Sequence, residues 1–142
     1  MIFYAVFDTN VLVSSLLTRH AESATARVVD AIADGVIVPL YSEGILSEYD
    51  DVLHRAKFSF SENRIRALLA MIQQFGIVVD PLPTGEQLID MDDLVFYEVV
   101  MAKREDDAHL ITGNLRHFPP RDFIVTPAEM MALIESEGKH KP

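Results

Sequence analysis

The sequence predicts an α/β fold, a three-layer α/β/α sandwich on a mostly parallel five-stranded sheet. Two observations predict it. Five short apolar runs punctuate the chain, each too short for an ordinary helix, and most of the sequence between them carries apolar residues at helical spacing. Runs that are apolar at every residue suit strands covered on both faces, the condition of a parallel sheet between helical layers. With 142 residues the chain fits one domain. That domain is expected to span 1–138, with a loose tail over 139–142.

The first run, Ile2 to Phe7, is β-branched and aromatic and stops on the carboxylate of Asp8. Val11, Leu12 and Leu16 then mark a helix that Thr9 or Asn10 can cap, and Ser23 caps a second whose stripe Ala24, Val28, Ala31, Ile32 ends at Gly35. Val36 to Leu40 is the second strand. Ser42 opens a helix with the stripe Ile45, Leu46, Tyr49, Val52, Leu53, and Ser61 opens another that runs through Ile65, Leu68 and Ile72 to Gly76. Ile77 to Val79 reads as a third buried strand.

Two prolines and a glycine make Pro81 to Asp92 a loop. Val95 to Arg104 is helical with little polar face, so it is expected to be buried, and Asp92 and Asp93 suit the positive end of its dipole. His109 to Thr112 and Phe123 to Val125 are the fourth and fifth strands. Thr126-Pro127-Ala128-Glu129 is a capping box with proline at the first helical position, and its helix ends near Gly138.

Composition narrows the chemistry. Cysteine is absent, so there are no disulfides and no thiolate metal sites. The N-terminus has no positive region ahead of an apolar stretch, and Asp8 interrupts the early run. Neither a secretory signal nor a membrane span is expected, and the location expected is the cytoplasm. A net charge of −10 repels a polyanion, so a nucleic-acid function would need cations or a local basic strip. Hydrophobic residues make up 49% and mean hydropathy is +0.17, an apolar surplus that suggests a homodimer or larger oligomer.

Right-handed crossovers bring the ends of successive parallel strands to one side of the sheet, and acids recur there. Asp8 ends strand one, Glu48 and Asp50 lie on the helix after strand two, Asp92 and Asp93 follow the loop after strand three, and Asn114 follows strand four. Gathered carboxylates destabilise one another unless a cation intervenes. Oxygen ligands, without cysteine or a histidine pair in helix register, favour Mg²⁺ or Mn²⁺ over Zn²⁺, and hence phosphodiester hydrolysis. A helical wheel does not choose between Glu48 and Asp50, which flank the stripe on opposite sides.

Four segments, taken in order, resemble the PIN-domain nucleases: Phe7-Asp8-Thr9-Asn10-Val11-Leu12-Val13-Ser14, Ser47-Glu48-Tyr49, Asp90-Met91-Asp92-Asp93-Leu94-Val95-Phe96-Tyr97-Glu98, and Leu110-Ile111-Thr112-Gly113-Asn114-Leu115-Arg116-His117-Phe118. The likeness is closest to the branch of toxin components of toxin–antitoxin pairs and runs from about Phe3 to Ile134. It implies a PIN-like fold and a metal-dependent ribonuclease whose acidic cluster maps onto Asp8, Glu48 and Asp93, with Asn114 in the fourth position. Many members carry Asp there, so the amide removes one charge. Thr9, Asn10 and Thr112 would orient the ligating oxygens, with Asp92 nearby. A protein antitoxin and a single-stranded or structured RNA are the partners it implies.

Blander readings accompany each of these residues. Asp8, Asp92 and Asp93 are also plausible helix caps. Glu98 projects about 140° from Asp93 around a helix and reads first as a partnered acid, then as a ligand. Arg116, His117 and Arg121 can contact phosphates, although surface charges are common. A weak PIN-like binding module acting through a protein partner is the rival function. A phosphatase built on Asp8 fares worse, because position 10 is asparagine and two helices follow strand one.

Overall fold

A computed structural model describes residues 1–139. The chain forms a five-stranded sheet in the order β3-β2-β1-β4-β5, with every pairing parallel. The strands are β1 (Phe3–Phe7), β2 (Ile37–Tyr41), β3 (Ile77–Val78), β4 (His109–Ile111) and β5 (Ile124–Val125). Six α-helices connect and cover them: α1 (Thr9–Leu17), α2 (Ala24–Ala33), α3 (Glu43–Leu53), α4 (Glu62–Phe75), α5 (Leu94–Ala102) and α6 (Pro127–Lys139). The predicted α/β architecture is the observed one.

The chain moves one way across the sheet from β1 to β3, then jumps back over β1 to β4 and β5. Right-handed crossovers therefore put α1 to α4 on one face and α5 on the other. α5 lies across β1, β2 and β4, while α2 packs on α1, α4 and α6. Between the layers Ala5, Val6, Phe7, Leu40, Leu110 and Ile111 are almost completely buried. The direction reverses between β1 and β4, and the crevice outside their carboxyl ends is where open α/β sheets hold ligands.

Local signals set most element ends. Ser23, Ser42 and Ser61 each accept the N–H three residues on, from Ala26, Ile45 and Arg64. The capping box closes both ways: Thr126 N–H donates to Glu129 at 2.9 Å, and Glu129 N–H to the Thr126 hydroxyl at 3.2 Å. Gly76 is needed for close approach, since a Cβ there would meet the carbonyl oxygens of Ile72 and Pro39. Pro39 sits inside β2, opposite Gly76 and ahead of β3, where its missing N–H faces no strand.

Three expectations need correcting. β3 is a two-residue edge strand, not a buried one: Ile77 is 44% and Val78 59% exposed, and only the following Val79 is buried. Among the described residues nothing pairs on its outer side, and apolar composition alone does not distinguish an edge from a centre. α1 is capped by neither Thr9 nor Asn10, which lie inside the helix; Asp8 holds the cap position. α6 continues to Lys139, the first residue of the expected tail, and the other residues of that tail, 140–142, lie outside the described residues. No helix among the described residues is long and apolar enough to cross a membrane.

Candidate active site at the β1–β4 switch point

Asp8 leaves the last rung of the sheet. Its N–H donates to the Ile111 carbonyl at 2.9 Å, so its side chain rises between the ends of β1 and β4. The residue is only 5% exposed and makes no capping hydrogen bond. Its Oδ2 instead accepts the Thr112 hydroxyl at 2.7 Å, across the strand reversal. Thr112, fully buried, also accepts the Asn114 N–H at 3.0 Å. Burial pushes the Asp8 carboxyl above its ordinary pKa. The Thr112 hydroxyl, the nearby amides of Thr9 and Asn10, and His117 oppose that shift in part.

Asp93 arrives from the other side. A 3₁₀ turn, Met91–Asp93, feeds α5, and Asp90 caps it by accepting the Asp92 N–H at 3.0 Å. Asp93 stands at the N-cap of α5 without capping it. Its Oδ2 lies 3.0 Å from His117 Nδ1, and His117 Nε2 lies 3.0 Å from the Asn114 side-chain amide. The ring thus bridges the Asp93 carboxyl and the Asn114 side chain. Burial, then Asp8 and Asp90, raise the Asp93 pKa to about 6 despite His117.

Glu48 projects from α3, half-buried, with no hydrogen bond of its own among the described residues. Its pKa is raised by burial first, then by Asp92, Asp51 and Asp8, with Arg55 in opposition. The next residue, Tyr49, donates its hydroxyl to the Phe7 carbonyl at 2.5 Å and so ties α3 to the end of β1, one residue before Asp8. Full burial and the Asp8 charge hold its phenol well above the ordinary value.

The predicted residues thus divide. Asp8, Asp93, Asn114 and Thr112 form one hydrogen-bonded chain through His117, and Glu48 joins it through charge. Asp92 is exposed, with its charge directed at Glu48. Thr9 is buried beside Asp8 with its hydroxyl unpartnered, whereas Asn10 is exposed. Glu98 lies apart, accepting the N–H and hydroxyl of Thr84 at 2.6 and 3.1 Å, a partnered acid that pins the 79–90 loop to α5. Arg121 spends its charge on Glu86 at 3.8 Å and on the Pro120 carbonyl.

From the sequence His117 is only a candidate phosphate contact, and Tyr49 only part of an apolar stripe. The structure puts His117 between Asp93 and Asn114. A signal was present: positions 114 and 117 are three apart, and the 3₁₀ turn Leu115–His117 brings such residues to one side. Tyr49 gave no signal, since a stripe does not reveal where a hydroxyl ends.

A family model described as PIN domain matches residues 4–116, more than half of the chain. The chain belongs to the PIN-domain family. PIN domains are typically metal-dependent nucleases, and in this one the match ends at Arg116, one residue short of His117. No curated protein and no solved structure matches the chain significantly.

Whether these residues fit a divalent cation turns on donor type and charge. The donors are oxygens, and Asp8 makes Asp93 harder to ionise while no Lys or Arg pairs with either among the described residues. The buried, unpartnered Thr9 hydroxyl adjoins them. No group of three or more Asp, Glu or His among the described residues is placed to hold a metal ion together. Mg²⁺ does not require one, because it keeps several waters and is commonly held by one or two carboxylates. The donor set fits.

Proposed function

We propose that the protein is an endoribonuclease, the toxin of a toxin–antitoxin pair, that hydrolyses RNA phosphodiester bonds with Mg²⁺ or Mn²⁺ held by Asp8 and Asp93 and, from the flank, Glu48. One observation carries the reading: at the strand-order reversal the Asp8 carboxyl is held above its ordinary pKa by burial, and those of Asp93 and Glu48 by burial together with neighbouring acids, Asp8 among them. A fold tolerates that arrangement where a cation completes it.

When bound, such an ion supplies an activated water and neutralises charge on the phosphoryl group. The chain's own residues do the positioning. Thr112 fixes one Asp8 oxygen and so orients the other, and His117 does the same for Asp93. Asn114 steadies the ring at its far nitrogen. Glu48, which no hydrogen bond restrains, can turn towards the ion or a water beside it. Tyr49 keeps the end of β1 in place beneath them.

Partner association has its own support. Leu82 and Ile89, on the loop beside the site, are 81% and 80% exposed, and the β3 edge shows Ile77 and Val78. An antitoxin covering the loop, and a homodimer, fit those apolar surfaces. The decisive experiment incubates the purified protein with Mn²⁺ and single-stranded RNA. Wild type cleaves, Asp8→Asn does not, and single-stranded DNA of the same sequence stays intact. Equal cleavage by the variant, or cleavage that survives excess chelator, overturns the assignment. A growth arrest on expression, relieved by the product of a neighbouring reading frame, tests the toxin role.

A further inference from the structure

A groove leads away from the acidic edge. It begins as a depression of about 460 Å³ beside His117, between Leu88 and Phe118. A second depression, of about 630 Å³, shares Arg116, Phe118 and Pro119 with the first and continues over Pro120 to Ile124. Most of the second depression's lining is apolar. At the junction stands Arg116, exposed and, among the described residues, without an ion pair, a hydrogen bond or an aromatic face. Arg121, the other arginine there, is tied to Glu86.

On a chain of net charge −10, an unpaired guanidinium one residue from His117 is the local attraction for an anion. The apolar surface around it, Leu115 at 41% exposure with Pro119 and Pro120, suits the face of an unstacked base. A duplex offers no free base face, and a lone phosphate needs no apolar floor. We infer that single-stranded RNA leaves the active site along this groove, with one phosphate gripped by Arg116 and one base laid against the Leu115 and Pro119–Pro120 surface. The inference rests on the nuclease reading and adds the strand's path past Arg116.

The test measures binding of a fluorescein-labelled decauridylate by anisotropy in chelator, so that nothing is cut, using wild type, Arg116→Gln and Arg66→Gln. Arg66 lies on α4 and controls for net charge. Arg116→Gln should weaken binding about five- to tenfold and reduce the slope of log affinity against log salt by about 0.7, one phosphate's worth for a single strand. Arg66→Gln should stay within about twofold. With Mn²⁺, Arg116→Gln should raise KM for the decamer and leave kcat unchanged. A blunt-ended RNA duplex should bind weakly and without regard to position 116.

Unchanged affinity and salt slope in Arg116→Gln, with wild type still cutting and Asp8→Asn inactive, overturns the path and leaves the nuclease reading standing. Failure of wild type to bind or cut any RNA overturns both. An antitoxin whose affinity falls in Arg116→Gln while RNA affinity holds assigns the groove to protein and overturns the proposal.

Discussion

Glu62 on α4 and Asp93 at the head of α5 each rest against a histidine, Glu62 at 2.6 Å from His54 and Asp93 at 3.0 Å from His117. The two carboxyls nevertheless move in opposite directions. Glu62 lies in solvent, with His54 and then Arg66 at 3.0 Å, and its pKa falls below the ordinary value. Asp93 is enclosed, with Asp8 and Asp90 as neighbours, and its pKa rises to about 6. One imidazole suffices where water and a guanidinium share the load. It does not offset burial plus two acids.

The widest break in the comparison comes from removing the neighbour. Asp8→Asn should abolish metal-dependent cleavage and cancel the rise in Tm that Mn²⁺ gives wild type. In metal-free buffer its own Tm should rise by a few degrees, about 2–4 °C, as a buried like charge is relieved. The Asp93 carboxyl, followed by NMR, should titrate below its wild-type midpoint. An unmoved midpoint would show that burial alone sets it. Next in size, His117→Ala should cut turnover more than tenfold and weaken Mn²⁺ binding measured by calorimetry, whereas His54→Ala should do neither.

Asp93→Asn sharpens the energetic side. The folded pKa lies above the unfolded value near 3.9, so the folded state binds the extra proton and stability declines as pH rises from about 4 to 6. Above that window the penalty is complete. In chelator the variant should therefore match wild type near pH 4 and exceed it at pH 7, by on the order of 1–2 kcal/mol in denaturant titrations. Glu62→Gln has the reverse sign and the smallest effect. Its stabilisation exists above the ordinary carboxylate range and is lost on acidification, and exposure should keep the Tm change within about a degree.

Between these lies Tyr49→Phe, which leaves the Phe7 carbonyl without its phenol donor. It should cost about 1–3 kcal/mol in denaturant titrations and lower activity by loosening the end of β1. The residue also shows where sequence reading stops. Serine caps, the Thr126–Glu129 box and the abrupt end of β1 at Asp8 are local, so each was legible from a few neighbouring positions. The strand order β3-β2-β1-β4-β5 is not local. Only that order sets Asp8 beside Thr112, which lies 104 positions away. The exposure of Ile77 and Val78 was hidden for the same reason, since an edge is defined by which strand is missing. Asp8 and Asp93 could be nominated by type and place, and the resemblance, not the helical wheel, nominated Glu48 over Asp50. That His117 bridges Asp93 to Asn114 depended on side-chain directions.

Thr112 has a consequence for where a proton can reside. Its hydroxyl accepts from the Asn114 backbone and gives its only hydrogen to Asp8 Oδ2. A proton on Oδ2 would leave that oxygen a weaker acceptor for the threonine hydrogen than a carboxylate oxygen is. The acid form of Asp8 therefore favours its hydrogen on Oδ1. The carboxyl has an address for its acid form, and Thr112→Val would erase the address while leaving the acid.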